Sequence, residues 1–243
     1  MFSLYKKELQ SYFRSPIAYF VIAFFMATFS LTFILDISSV SSSTYEFSFA
    51  SIFYVNLFYF VLLLPLLTMR TFAEERKNGT EILLLSGPLT VTQIVMAKFL
   101  ATATILLIMM AASLIYPIIT AIFGEVIWSS LICTYIGFYL FGLVCLSIGI
   151  LISSLTETPI IAILLSELAM LLLVLMDNLN SATFISSIPI LSDVIEWLAT
   201  ETKFEYFSQG LIRVSDIVGF ITEILVFLSW TIISVEKRRW SRR

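Results

Sequence analysis

Six apolar stretches, each long enough to cross a bilayer as a helix, leave this chain very few ways to fold. A hydrocarbon core about 30 Å thick takes roughly 20 apolar residues per helical crossing. Inside lipid every backbone N–H and C=O must be satisfied internally, which a helix does within its own segment. The stretches cover 17–35, 47–69, 94–123, 127–155, 159–176 and 216–235. They leave little for a separate water-soluble domain. Only 13% of the 243 residues are charged and 59% are apolar, against the about 25% charge of a soluble domain. The fold class is therefore an all-α integral membrane protein with six transmembrane helices, a single domain over 1–243.

Local signals refine these helices. Ser15 is placed to cap the first, with Pro16 at the opening position where a missing N–H is harmless. Thr158 stands in the same relation to Pro159. Pro65 is expected to kink the second helix, and Lys98 to snorkel from the third toward the interface. No secretory cleavage pattern precedes the first stretch, which reads as a retained helix. The absence of histidine removes the commonest general base and metal ligand. Cys133 and Cys145 fall on one helix roughly 18 Å apart, too far for a disulfide, and read as buried small residues. No catalytic residue and no metal site is expected.

The placement of basic residues orients the bundle. An even number of crossings puts both termini on one side. That side then carries twelve of the fourteen Lys and Arg, in the segments around Lys6, Arg14, Arg70, Lys77, Lys98 and Arg239, while Lys203 and Arg213 fall opposite. Both termini are expected in the cytoplasm. The outer side carries acids instead, among them Asp36, Glu46, Glu125, Asp177, Asp193 and Glu205.

Three segments are more than connections. In 1–14, Phe2, Tyr5, Leu9, Tyr12 and Phe13 recur on one helical face, and Ser3, Lys6, Lys7, Gln10 and Arg14 on the other. Such a helix suits the headgroup layer, apolar side down. It serves as an anchor or as an elbow leaning on a partner subunit. The loop 70–93 reads RTFAEERKNGTEILLLSGPLTVTQ. Asn78-Gly79 breaks it. Thr80 is placed to cap a short helix with Glu81 in its first turn, and Ser86-Gly87-Pro88 ends that helix. Thr90 and Gln93 have capping-box spacing at the start of the third span. The short helix carries leucines, Leu84 among them, that fold back on the membrane or dock a cytoplasmic protein. The outer segment 178–213 is too apolar for a solvated loop, Asp193 and Glu196 have capping-box spacing, and one or two short helices are expected there.

Polar residues inside spans are costly in lipid and mark sites or internal hydrogen bonds. Glu167 lies near the middle of the fifth. Asn56 and Tyr59, three apart in the second, share a face. These three are candidates for lining a translocation path, although hydrogen bonding within the helix bundle is the commoner reason for such residues. Glu223, in the outer half of the sixth, is read as nearer water. Gly149 and Ser153 have the small-x-x-x-small spacing of close helix packing.

The order of these features resembles the permeases of ABC type-2 exporters, and most closely the bacterial gliding-motility-type subunits. The resemblance spans nearly the whole chain. Lys6-Lys7-Glu8-Leu9 through Tyr12, Phe13, Ser15 and Pro16 looks like that family's elbow helix. Phe72-Ala73-Glu74-Glu75-Arg76-Lys77-Asn78-Gly79-Thr80-Glu81, with Leu83, Leu84 and Pro88, is similar to its coupling-loop motif. Residues 149–157, the Phe204, Phe207, Gly210 group and Glu236 to Trp240 also fit.

The resemblance implies a permease domain in a bacterial cytoplasmic membrane, paired with a second permease subunit, identical or related. It implies two ABC ATPase subunits gripping the loop that carries Glu74, Glu75, Arg76, Gly79, Thr80, Glu81 and Leu84, and a path lined by helices two and five. ATP and Mg would be held by the ATPase, since no G-x-x-x-x-G-K-[ST] phosphate loop occurs here. An auxiliary external subunit and membrane lipid are further expected partners; nucleic acid is not. Alternatives are an ATPase-linked membrane anchor that translocates nothing, and a secondary transporter or channel. The latter would want paired polar residues or an inverted repeat, and the chain offers one mid-span acid.

Overall fold

The computed structural model describes residues 1–42, 47–180 and 197–241, and among these there is helix and no strand. In chain order the helices are α1 (Phe2–Arg14), α2 (Pro16–Ser42), α3 (Phe49–Thr68), α4 (Ala73–Lys77), α5 (Glu81–Leu85), α6 (Val91–Ser113), α7 (Ile115–Phe123), α8 (Trp128–Leu155), α9 (Pro159–Asn180), α10 (Thr200–Ser208) and α11 (Val214–Ser241). Five segments among the described residues are long and apolar enough to cross a membrane: Pro16–Ser39, Phe49–Lys77, Val91–Phe123, Trp128–Leu155 and Val214–Trp240. The apolar part of α9, Pro159–Leu175, is shorter.

Several boundaries follow the local signals. Ser15 Oγ accepts from Ile17 N at 3.3 Å at the start of α2. Thr90 and Gln93 form the reciprocal capping box of α6. Elsewhere the structure adds detail to the sequence reading. The third stretch is two helices. Pro117 has no N–H to give Ser113, and Leu114 N donates three residues back to Ala111 O instead. The last helix runs past 235 and carries Glu236, Lys237, Arg238 and Arg239 as further turns. Of the outer segment, α10 is described, and the expected capping box at Asp193 and Glu196 lies outside the described residues.

The centre of the bundle is α8, against which α3, α6, α9, α10 and α11 all pack. Its interior contacts are aromatic. Phe138 lies 4.4 Å from Phe60 and 5.0 Å from Phe53 between ring centroids, and Phe53 is 5.2 Å from Phe29, distances at which rings attract beyond their burial. Close approach of α3 to α8 depends on Gly149, where a Cβ would lie 2.3 Å from Thr68 Oγ1. The outer faces are apolar, with Ile34, Ile122, Ile160, Leu164 and Ile233 all exposed. That is the surface expected of helices whose solvent is lipid. Cys133 and Cys145 are buried free thiols.

The α10 helix is pinned across the bundle. Thr134 Oγ1 donates to Phe207 O at 3.5 Å. Lys203 Nζ meets the Glu223 carboxylate and the Trp197 carbonyl. Glu223 is wholly buried and not near water as its position suggested, because Lys203 supplies the opposite charge that a buried carboxylate needs.

Candidate coupling site

Where α3 gives way to α4, one hydroxyl splices the chain to α8. Ser153 Oγ accepts from Phe72 N and Ala73 N, both at 3.1 Å, and donates to Met69 O at 3.3 Å. That fills its one donor and two acceptor positions. Spacing suggested that Ser153 serves packing alone; it also satisfies two backbone donors at the entry to α4.

The charges of α4 other than Lys77 are paired within the protein. Glu74 pairs with Arg70 at 2.5 Å. Glu75 Oε2 lies 2.9 Å from Lys98 Nζ, which also holds Glu8 Oε1 at 3.2 Å. The Lys98 side chain is completely buried, its ammonium 5.1 Å from the centre of the Phe72 ring. It therefore does not snorkel. Two carboxylates inside the protein provide the pairing that headgroups and water would otherwise supply, and a buried charge survives only with such pairing.

These carboxylates come from different elements, so α1 is fastened to α4 through α6. The face of α1 bearing Leu4, Glu8 and Tyr12 is buried against α6 and α2, while Phe2 on its other side is exposed. Tyr5 OH and Thr104 Oγ1 are 2.9 Å apart, and Tyr12 OH donates to Leu67 O at 2.8 Å. Burial, with the Glu8 carboxylate beside it, pushes the Tyr12 phenol above its ordinary pKa, so it stays a donor. A cavity of about 190 Å³ remains between α1 and α4.

A second array joins α4, α5, α8 and α11. Arg76 Nε and Nη2 meet the two Glu81 oxygens at 3.2 and 3.3 Å. The same guanidinium donates to Ser154 O at 2.8 Å and to Thr156 O. Arg238 Nη2 donates to Leu155 O at 3.1 Å, and its Nη1 lies 4.0 Å from Glu81. The Arg76 and Glu81 side chains are 8% and 3% exposed, so neither is available to another protein.

What remains outside is the tip. Gly79 has φ +72°, its N–H reaches Arg76 O at 3.0 Å, and Thr80 N reaches Glu75 O at 2.9 Å. This is the paired-bond helix stop that favours glycine in the left-handed position. The Thr80 hydroxyl also donates to Glu75 O, at 3.2 Å. It makes no side-chain cap to α5, against expectation, because the same turn already engages it. Lys77, Asn78, Gly79 and Thr80 are exposed, and Ile82 and Leu83 are 57% and 75% exposed.

The seven loop residues singled out by sequence thus divide. Gly79 and Thr80 are at the tip, Leu84 and Glu74 are half-buried, and Glu75, Arg76 and Glu81 face the bundle. Within the short helix whose apolar residues the sequence singled out, Ile82 and Leu83 are the exposed ones; sequence reasoning missed Glu8, Lys98, Ser153 and Arg238 as partners. A lone acid in a basic helix and a lone lysine in an apolar stretch were the available signals for Glu8 and Lys98.

The three path candidates are not brought together. Asn56 is fully buried, and its Nδ2 donates to Thr32 Oγ1 and Ile52 O at 2.8 Å each. Tyr59 is half-buried, stacked edge-on against Phe58. Glu167 is half-buried on α9, with exposed Leu164 and Leu168 beside it, and its Oε1 is enclosed without a hydrogen-bond partner.

The family model described as ABC-2 family transporter protein matches residues 34–235. No curated protein matches the chain. A family match over most of the length, carried by a bundle of apolar helices, identifies the chain as a member of the ABC-2 transporter family, a multi-pass membrane component of an ABC transporter.

Proposed function

We propose that the chain is the permease subunit of an ATP-driven exporter in a bacterial cytoplasmic membrane, with both termini in the cytoplasm and the 77–83 tip as the surface on which a separate ATPase bears. In this reading α9 is a sixth crossing: its 22 residues span about 33 Å at 1.5 Å per residue. Two copies of the chain, with two ATPase subunits that hold ATP and Mg, form the working unit. Glu167 then faces the second copy, where the translocation path would run, and Asn56 and Tyr59 act within one subunit.

One observation carries the reading. An apolar pair, Ile82 and Leu83, is held out at the charged end of the bundle on a frame whose ionic groups are turned inward. Leucines so displayed mark a protein contact. A few residues that become fully buried carry most of the energy of an interface.

The test is co-purification with the ABC ATPase from the same source. Leu83→Glu should lose the ATPase, by a factor of ten or more for a lost anchor of about 2 kcal/mol, while the permease keeps its melting temperature. Undiminished binding by Leu83→Glu would place the contact elsewhere.

A further inference from the structure

The end of α8 has an unusual partner. Its last carbonyls, like those of any helix, lack an intrahelical N–H and carry partial negative charge. Three consecutive ones, Ser154, Leu155 and Thr156, are taken by two arginines from distant segments: Arg76 on α4 takes the first and third, and Arg238 on α11 takes the second. Both guanidinium groups also face Glu81 at the start of α5. The tip at Gly79 lies between Arg76 and Glu81, so their ion pair closes the tip into a loop that is bolted to the end of α8.

We infer that Arg76 and Arg238 are positioning residues that deliver displacement of the tip to the turn between α8 and α9, and so to α9. This rests on the reading of the tip as the ATPase contact. The geometry favours a stiff link. A guanidinium presents its donors in a fixed planar fork, and Arg76 uses three of its nitrogens on three different groups. Its side chain is almost wholly enclosed, where such bonds are stronger than in water. The Glu75–Lys98–Glu8 array also ties α4 to α6 and α1, which adds to the stiffness of its setting. Beyond the capped carbonyls, α9 begins at Pro159, and α4 packs against both α8 and α9. The helix receiving the displacement is the one that bears Glu167. Arg76 and Glu81, which the sequence motif suggested as ATPase contacts, act in this scheme from inside the permease.

The test compares wild type, Arg76→Gln, Arg76→Lys and Arg238→Gln, each purified with the ATPase. Amide hydrogen exchange in 156–165 is measured without nucleotide and after trapping with ATP and vanadate. Wild type should show a nucleotide-dependent change in exchange there. Arg76→Gln should still co-purify with the ATPase, since Ile82 and Leu83 are retained, yet lose that change, Arg76→Lys should retain part of it, and Arg238→Gln, which frees one carbonyl, should weaken it. Should Arg76→Gln fail to fold, the Arg238→Gln result decides alone. A wild-type protein with no nucleotide-dependent change, or variants that change as wild type does, would overturn the inference. Failure of the ATPase to bind wild type would instead overturn the permease reading.

Discussion

Lys98 concentrates the energetics of the charged end in one atom. Its ammonium is buried and shared by Glu8 and Glu75. Removing one member of a buried ionic group leaves the others uncompensated, a loss of about 3–5 kcal/mol. Lys98→Met is therefore expected to lower the melting temperature of the detergent-solubilised protein sharply. The triple variant Lys98→Met, Glu8→Gln, Glu75→Gln should recover much of it, because the stranded charges are gone. Gly149 is the steric counterpart. A valine there drives atoms into Thr68, and overpacking of this kind destabilises by about 1–3 kcal/mol. Thr68→Ala, which removes Oγ1 and Cγ2 but keeps the Cβ at 2.8 Å, should relieve Gly149→Val in part if the clash is the cause, as read by the same melting curve.

At the scale of single elements, two short helices depend on specific attachments. The tip between α4 and α5 needs a left-handed residue at Gly79, and an L side chain there loses about 1–2 kcal/mol although it meets no atom within 4 Å. Gly79→Ala should thus loosen the tip without disturbing the bundle, seen as faster amide exchange at 77–80 with an unchanged melting temperature. The α10 helix hangs on Lys203. Lys203→Met strands the buried Glu223 carboxylate and should raise exchange across Thr200–Ser208, while Lys203→Met with Glu223→Gln restores protection. Protection unaltered in the single variant would mean that Phe204 and Phe207, both fully buried, hold α10 by packing alone.

The whole molecule is organised by its orientation in the bilayer. Lys77 and Arg239 belong to one end of the bundle, and Leu211, in the exposed turn after α10, to the other. With Cys133 and Cys145 replaced, Lys77→Cys and Arg239→Cys should react with an impermeant thiol reagent only from the cytoplasmic side, and Leu211→Cys only from outside. Labelling of positions 77 and 239 from opposite sides would refute the topology and with it the proposed ATPase contact.

The membrane class of this protein, and the end of the bundle that collects its basic residues, were legible in the sequence because both are sums over local composition. Apolar length decides whether a segment can cross lipid, and Lys and Arg positions are countable without knowing what they touch. So were the capping box at Thr90 and Gln93 and the glycine stop at Gly79, whose partners lie within a few residues. Which loop residues face outward was settled by tertiary structure alone. Glu75 turns in because Lys98 is there, Arg76 because the end of α8 is there, and Ser153 binds α4 from 81 residues away. No periodicity within a 24-residue loop contains those partners. The sequence therefore ranked Arg76 and Glu81 with the tip, and only the packing of distant helices separated the residues that hold the loop from Ile82 and Leu83, which it presents.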